Sequence, residues 1–347
     1  MKETIYTLHE YGSPSHFYGL VALAEQNGFQ VKHREIRQRN AIKRLLFEFN
    51  FHIIENIIFL LSLPFRKRCK VVLGIAPYNG FLPLLMKMLH KHEVYYFTSY
   101  TCWDQTISVH SLDGNSNLLK SWQYFTNEYV KHIFAVSQKT KEELIKNGFA
   151  SKEKISVVNH SLKKEIVPGD QTQALTFVQV GRLSPAKGVV ELLDFFKQNP
   201  NFSITFVGSG DLQSKVEAAA QKYSNIHYIG YVKSFDRLVE IYKKHSFVIM
   251  NSQRLPGSAW EELFGMALIE GMACGCVPVA SDHTGPKEII RHNQNGILYN
   301  SKNISATLAN IALISDDDYV NLRTNTINSA QQYNRSSIAE RWNVVLK

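Results

Sequence analysis

Short apolar runs alternate with stretches of helical spacing along the whole chain, the signature of parallel βαβ units. In the first half TIYTL (4–8), FQVKHREI (29–36), KVVLGI (70–75), EVYYFTS (93–99), IFAVS (133–137) and ISVVN (155–159) read as strands. Between them lie a helix ending near Asn27, a long helical stretch before residue 70, helices over 79–90 and 116–132, and one further helix. In the second half LTFVQV (175–180), SITFV (203–207), NIHYIGYV (225–232) and VPVAS (277–281) continue the pattern. LKKEIVPGDQTQ separates the halves; it is polar and carries Pro168 and Gly169, so the break between domains is expected there. The closing segment NRSSIAERWNVVLK is an amphipathic helix with Ile338, Trp342 and Val345 on one face.

Candidate chemistry sits in the turns of the second half. In EELFGMALIE, Glu262 and Glu270 have seven residues between them. Phe264 and Gly265 form a loop-to-helix junction, and Met266, Ala267 and Leu268 start the helix. The amides at such a helix start attract an anion, and two carboxylates beside a phosphate need hydroxyl donors of their own. A nucleotide sugar supplies both, through its diphosphate, its ribose and its transferred sugar. A solvated acidic helix start fits the same residues. Upstream, GRLSPAKG follows a strand, with Gly181 and Gly188 at its ends and Arg182 and Lys187 projecting from it. These cations fit a diphosphate, or simply face solvent. Gly208 in FVGSGD gives a third turn at the same end of a sheet, where loops of an open parallel sheet converge on one crevice.

GRLSPAKG, VGSGD, IGYV, the Glu262 to Glu270 pair within EELFGMALIEGMACGCVPVAS, and GPKEII resemble, in order and spacing, the retaining glycosyltransferases often called family four, the group 1 glycosyl transferases. The resemblance is strong from about Val178 to Tyr299, and AVSQKTKEELIKNGF is similar to the stretch closing that family's first domain. It implies an α/β protein of GT-B fold, two Rossmann-like domains facing across a cleft, with the C-terminal helix crossing back to the first. The implied boundaries are 1–165 for acceptor binding, 166–330 for the nucleotide sugar and 331–347 for the returning helix.

By the same resemblance Arg182, Lys187 and Glu262 are the catalytic set: the two cations neutralise the donor diphosphate and Glu262 binds the donor sugar. Glu270 accepts from the ribose. Gly181, Gly208, Phe264, Gly265, Met266, Ala267 and Leu268 line the donor, Tyr231 and Val232 lie near the base, and Gly12 and Ser13 approach the diphosphate from the first domain. Three departures stand out. Gly12 is followed by Ser13 where many members have a second glycine. Thr98, Ser99 and Tyr100 stand where many carry a histidine, so Ser99 is the candidate for that contact. Asn159, His160 and Ser161 replace a Pro-Asn-Gly.

With 347 residues, 44% hydrophobic and 20% charged, the chain suits two globular domains. MKETIYTLHEYG reads directly as a strand, so no cleaved signal is expected, and four scattered cysteines fit neither a disulfide scaffold nor a zinc cluster. A cytoplasmic protein is expected, with a peripheral place on the inner face of the plasma membrane suggested by charge. Residues 1–165 hold 22 Lys and Arg against 14 Asp and Glu, while 166–347 are nearly balanced at 17 against 16. Residues 31–70 alone hold ten basic groups and three acidic ones around FEFNFHIIENIIFLLSLPF. The apolar run 57–65 is too short to span a bilayer. Two readings stay open for this segment: a basic, aromatic surface resting on anionic lipid, or a helix packed on the sheet with solvated cations. No nucleic-acid reader motif is present.

Trp103, Trp122, Tyr124 and Phe125 fit either a stacking floor for acceptor sugars or core, and Asp104 is a candidate for an acceptor hydroxyl. The expected reaction is transfer of a sugar, with retention, from a UDP- or GDP-sugar to a hydroxyl of a glycan or lipid-linked acceptor in surface polysaccharide or glycolipid assembly. No cofactor or metal is expected, because protein cations occupy a metal's role. A nucleotide-sugar epimerase and a non-catalytic nucleotide-sugar binder are the alternatives.

Overall fold

The computed structural model describes residues 3–10, 14–37, 52–101, 103, 116–170, 174–255 and 260–347. The chain divides into two compact units, Met1–Lys163 with Arg335–Lys347, and Lys164–Asn334.

The first unit runs β1 (Thr4–Glu10), α1 (Tyr18–Gln26), β2 (Gln30–Arg37), α2 (His52–Ser62), β3 (Lys70–Gly74), α3 (Leu82–Leu89), β4 (Glu93–Thr98), α4 (Ser116–Tyr124), β5 (His132–Ala135), α5 (Gln138–Lys146) and β6 (Ile155–Val157). Its six strands lie in the order β2-β1-β3-β4-β5-β6, and every pairing is parallel. Parallel strands need crossovers, and the alternation in the sequence supplies one helix for each. The helix expected over 116–132 is shorter. After Tyr124 it loosens into a π-helical turn, Phe125–Tyr129, and Lys131 N–H then donates to Val94 O at 2.8 Å as the chain enters the sheet. Trp103, Trp122 and Phe125 are fully buried in the core with Tyr78 and Tyr96, and only Tyr124 is exposed, which rules out the aromatic floor.

The second unit repeats the plan: β7 (Thr176–Val180), α6 (Val189–Gln198), β8 (Ser203–Val207), α7 (Gln213–Lys222), β9 (Ile226–Gly230), α8 (Phe235–Tyr242), β10 (Phe247–Met250), α9 (Met266–Cys274), β11 (Val277–Ser281), α10 (Thr284–Ile289), β12 (Ile297–Tyr299), α11 (Ile304–Ile311) and α12 (Asp316–Ala330). Strand order is β12-β11-β10-β7-β8-β9, again parallel throughout. β10 and β12 escaped the sequence reading, being four and three residues long. The strand expected through Val232 stops at Gly230, which leaves Tyr231 and Val232 outside the sheet. The chain's order reverses between β7 and β10, the topological switch point of this sheet, where loops leave in opposite directions and open a crevice.

The closing segment rejoins the first unit as α13 (Arg335–Ala339) and a 3-10 stretch, Glu340–Val345, in place of one continuous helix. Trp342 is buried against Phe134, Phe97 and Phe17, with ring centroids 4.5, 5.5 and 6.2 Å away. Its replacement by Ala leaves a cavity among three rings. We expect the first unit to lose about 3–5 kcal/mol of unfolding free energy, read by urea denaturation.

Candidate active site

β7 and β10 are adjacent, so the loops that follow them meet at the crevice. The meeting is held by backbone and side-chain hydrogen bonds together. Asn251 Nδ2 donates to Gly188 O at 3.0 Å, and Gln253 N–H donates to Ala186 O at 2.9 Å. Gly188 has φ 61°, and a Cβ there would lie 2.0 Å from Asn251 O, so no other residue fits. Tyr299 at the end of β12 donates its hydroxyl to Asn251 Oδ1 at 2.7 Å and fixes the clasp from the far side.

This clasp places Lys187, on the β7 loop, in direct ion pair with Glu262, on the β10 loop. Ser252 Oγ donates to the same Glu262 oxygen at 3.2 Å, and the Lys187 ammonium lies 5.0 Å from the centroid of the Trp260 ring. Two of the three residues in the catalytic set are thus in contact, although 75 positions separate them in the sequence.

Glu262 is positioned by a second network around its neighbour. Gly285 N–H donates to Glu262 O at 2.8 Å. Glu261 is bonded to His283 Nδ1 at 2.9 Å and to Arg254 Nε at 2.8 Å, and it accepts from Thr284 N–H at 3.2 Å; Arg254 also bonds Asp282. Burial opposes ionisation of Glu261, but His283, the Thr284 amide and Arg254 outweigh it and hold the carboxyl down at about 2. Glu261 is therefore a fixed anion that ties the loop before α9 to the turn before α10. Nothing in the sequence distinguished it from Glu262 beside it.

Gly265 opens α9 with φ 118°, and the helix begins on Met266. Its first amides, those of Met266 and Ala267, are beyond the reach of intrahelical acceptors and point out of the helix start. Leu268 and Phe264 are buried, so these two support the turn. Glu270 is one turn further on, where its Oε2 accepts from the hydroxyl of Tyr242 at 3.3 Å. Burial pushes its carboxyl up to about 7, and the tyrosine hydroxyl offsets only part of that shift.

Arg182 lies in a cavity of about 380 Å³ at the carboxyl ends of β7, β8 and β9, with Gly181, Gly208, Tyr231 and Val232. Val180, Val207, Ser209 and Leu238 complete its wall. The sequence reading missed these four, although the last residue of each strand beside the crevice was a signal for the two valines. Gly208, with φ 140°, is needed for closeness: a Cβ there would stand 1.9 Å from Gly181 O. Tyr231 is 75% exposed at the cavity rim. Leu238 and Tyr242 are one turn apart on α8, so the helix face that closes the cavity also carries the partner of Glu270.

Gly12, Ser13 and Asp104 lie outside the described residues. Ser99 follows β4, and its main-chain carbonyl accepts from Thr140 Oγ1 at 3.3 Å. The sequence reading also passed over a pair of imidazoles in the first unit: His16, after β1, stacks on His160, after β6, at 4.3 Å between centroids. His160 is buried, and burial holds its pKa well below the ordinary histidine value. Among the described residues there is no group of three or more His, Cys, Asp or Glu side chains placed to hold a metal ion.

The raised Glu270 makes a prediction. The folded protein holds this proton more tightly than the unfolded chain, so the resulting stabilisation is complete below about 4.5 and is lost as pH rises to about 7. Glu270→Gln should remove that slope from denaturant unfolding followed across this pH range. Tyr242→Phe should move the Glu270 midpoint further up in carboxyl-detected NMR, because it deletes a donor that favours the ionised form.

Residues 163–333 match the family described as glycosyl transferases group 1. An uncharacterized glycosyltransferase of Methanocaldococcus jannaschii is 33% identical over 175 residues, covering 49% of this chain and 46% of that protein. The N,N'-diacetylbacillosaminyl-diphospho-undecaprenol alpha-1,3-N-acetylgalactosaminyltransferase of Campylobacter jejuni is 27% identical over 161 residues, 45% of this chain and 40% of its own. The matched stretches thus span about half the length of these curated relatives. The crystal structure of Anabaena Alr3699/HepE in complex with UDP-glucose is similar in fold, with a TM-score of 0.68 at 15% identity over 99% of both chains. Two six-stranded parallel sheets with flanking helices, shared with such neighbours, make this a two-domain α/β protein of the GT-B kind. Residues 163–333 thus form a glycosyl transferases group 1 domain, and they make up almost all of the second unit.

Proposed function

We propose that this protein is a retaining glycosyltransferase that moves a sugar from a UDP- or GDP-sugar to a hydroxyl of a glycan or lipid-linked acceptor, in the cytoplasm and without a metal. The observation that carries the reading is the Lys187–Glu262 ion pair across the β7/β10 switch point, one loop from the cavity that holds Arg182. A cation and a carboxylate that neutralise each other here are matched to a ligand with a phosphate and a hydroxyl at adjoining positions. On binding, Lys187 exchanges its carboxylate for the diphosphate, and Glu262 turns to the sugar hydroxyls.

The other parts follow the same chemistry. Arg182 and the amides of Gly265, Met266 and Ala267 share the diphosphate charge. Glu270 receives the ribose hydroxyls, and Tyr231 offers its exposed ring to the base. The acceptor hydroxyl attacks the anomeric carbon on the face the diphosphate leaves. The bond to the phosphate oxygen breaks as the new glycosidic bond forms, and the hydroxyl proton passes to the departing oxygen. No protein base is needed, and the acceleration comes from positioning and from preset charges around the leaving group. The Campylobacter relative, whose name gives a diphospho-undecaprenol acceptor, supports a lipid-linked acceptor and a role in surface glycan assembly.

Thermal-shift measurements with UDP, GDP and ADP should show stabilisation by UDP or GDP; a flat response to all three would remove the reading. Lys187→Ala should lower turnover on the order of a hundredfold. Activity should persist in EDTA, and a loss that magnesium restores would overturn the metal-free mechanism. An epimerase would instead consume donor with no acceptor present, and a binding protein would consume none.

A further inference from the structure

α2 in the first unit is apolar on both sides. Phe59 and, just beyond the helix, Leu63 are buried in the core, as expected for a helix lying on a sheet. The outward side carries Ile54, Ile57, Ile58 and Leu61, spaced i, i+3, i+4 and i+7, and all four are exposed. The following turn, Leu63–Phe65, adds Phe65 at 88% exposure. α3 packs beside this turn and brings Phe81 and Leu84, each more than half exposed. A run of large apolar side chains on one helix face, all facing water, marks an interaction surface, since isolated exposed residues are ordinary and such a run is not.

The charge next to this face identifies its partner. Arg66, Lys67 and Arg68 follow Phe65 directly, and all three are exposed. They line a cavity of about 330 Å³ with Tyr6 and Glu3, at the amino-terminal edge of β1 and β3. Arg66 is preset there: its Nε donates to Ser62 Oγ at 2.8 Å, and its guanidinium stands 4.8 Å from the Phe59 ring centroid and 5.9 Å from that of Tyr6. Arg68 pairs with Glu93, a carboxylate that also serves Lys70 and Lys131. Among the described residues neither Arg66 nor Lys67 has a carboxylate partner within ion-pair distance. Glu3 in the cavity and Glu55 on α2 leave the cations in excess.

We propose that this face docks the protein on a bilayer containing anionic lipid, with a lipid phosphate in the Arg66–Arg68 cavity and Ile57, Ile58, Leu61 and Phe65 in the acyl boundary. A bilayer surface is the partner that presents a layer of phosphate directly over a layer of hydrocarbon, and the protein presents cations directly beside an apolar helix face in the same way. No helix among the described residues is long and apolar enough to cross a membrane, so the contact is with the surface. The inference goes beyond the donor-site reading and shares no residue with it.

The test is co-sedimentation of the full chain with vesicles of phosphatidylcholine alone or of phosphatidylcholine with phosphatidylglycerol. Wild type should pellet with the anionic vesicles only, and added salt should weaken the association. Lys67→Ala with Arg68→Ala should lower partitioning on the order of thirtyfold, from the loss of two surface cations. Ile58→Asp with Leu61→Asp should abolish it, and both variants should keep the wild-type melting temperature and thermal response to nucleotide. Wild type that stays in the supernatant with anionic vesicles, or variants that pellet as well as wild type, would overturn the proposal. A fall in melting temperature for Ile58→Asp with Leu61→Asp would show that the protein covers this face itself, and a change in that variant's sedimentation coefficient would show that a second copy does. Either result would also overturn the proposal, and the nucleotide response would show independently whether the donor reading still stands.

Discussion

The second unit depends on the contact between Gly188 and Asn251. A Cβ at position 188 would lie 2.0 Å from the Asn251 carbonyl, so the loops after β7 and β10 approach more closely than any side chain there would allow. Glycine there makes the approach possible, and the Asn251 amide and the Tyr299 hydroxyl hold it. Lys187 is next to the glycine, and Glu262 follows from the other loop, where the network around Glu261 also holds it. The sheet order puts the two loops at the same crevice; the glycine decides that they touch.

Three glutamates within ten positions are given three different environments. Glu261 is surrounded by donors and cations and stays ionised far into acid, Glu262 faces one ammonium across the crevice, and Glu270 is desolvated with a single hydroxyl for company. The first is architecture. The other two are carboxylates whose present partners a ligand can replace or supplement, which is how neighbouring acids of the same type acquire separate tasks. The division follows from which element each one faces: the turn before α10, the β7 loop and α8.

Much of this was legible locally. The alternation of strand and helix patterns, the start of α9 after Phe264 and Gly265, and the turns after β7 and β8 follow from short-range rules about periodicity and glycine. What local pattern could not give is what distance in sequence hides. The role of His283 and Arg254 in holding Glu261 depends on residues that approach only when β10 and β11 are side by side. Trp103 and Trp122 looked equally suited to a sugar platform, and only their burial against Tyr78 and Phe149 decides for the core. β10, four residues long and fully buried, carries too little pattern to announce itself, although both halves of the crevice are built on it and its neighbour. The exposed side of α2 was ambiguous for the opposite reason: with apolar residues on two sides, it gave no sign of which one faces water.

The return of Trp342 to the first unit also bears on how the chain matures on the ribosome. The second unit is one continuous segment and has its entire sequence once residue 334 has emerged. The first unit has nearly all of its residues much earlier, yet Phe17, Phe97 and Phe134 must wait for an indole that is synthesised after the whole intervening unit. Synthesis is vectorial, so the half made first is the half finished last, and it spends the intervening time with an aromatic surface uncovered. A chain that ends shortly after residue 334 therefore carries the whole second unit attached to an incomplete first one, with that aromatic surface uncovered.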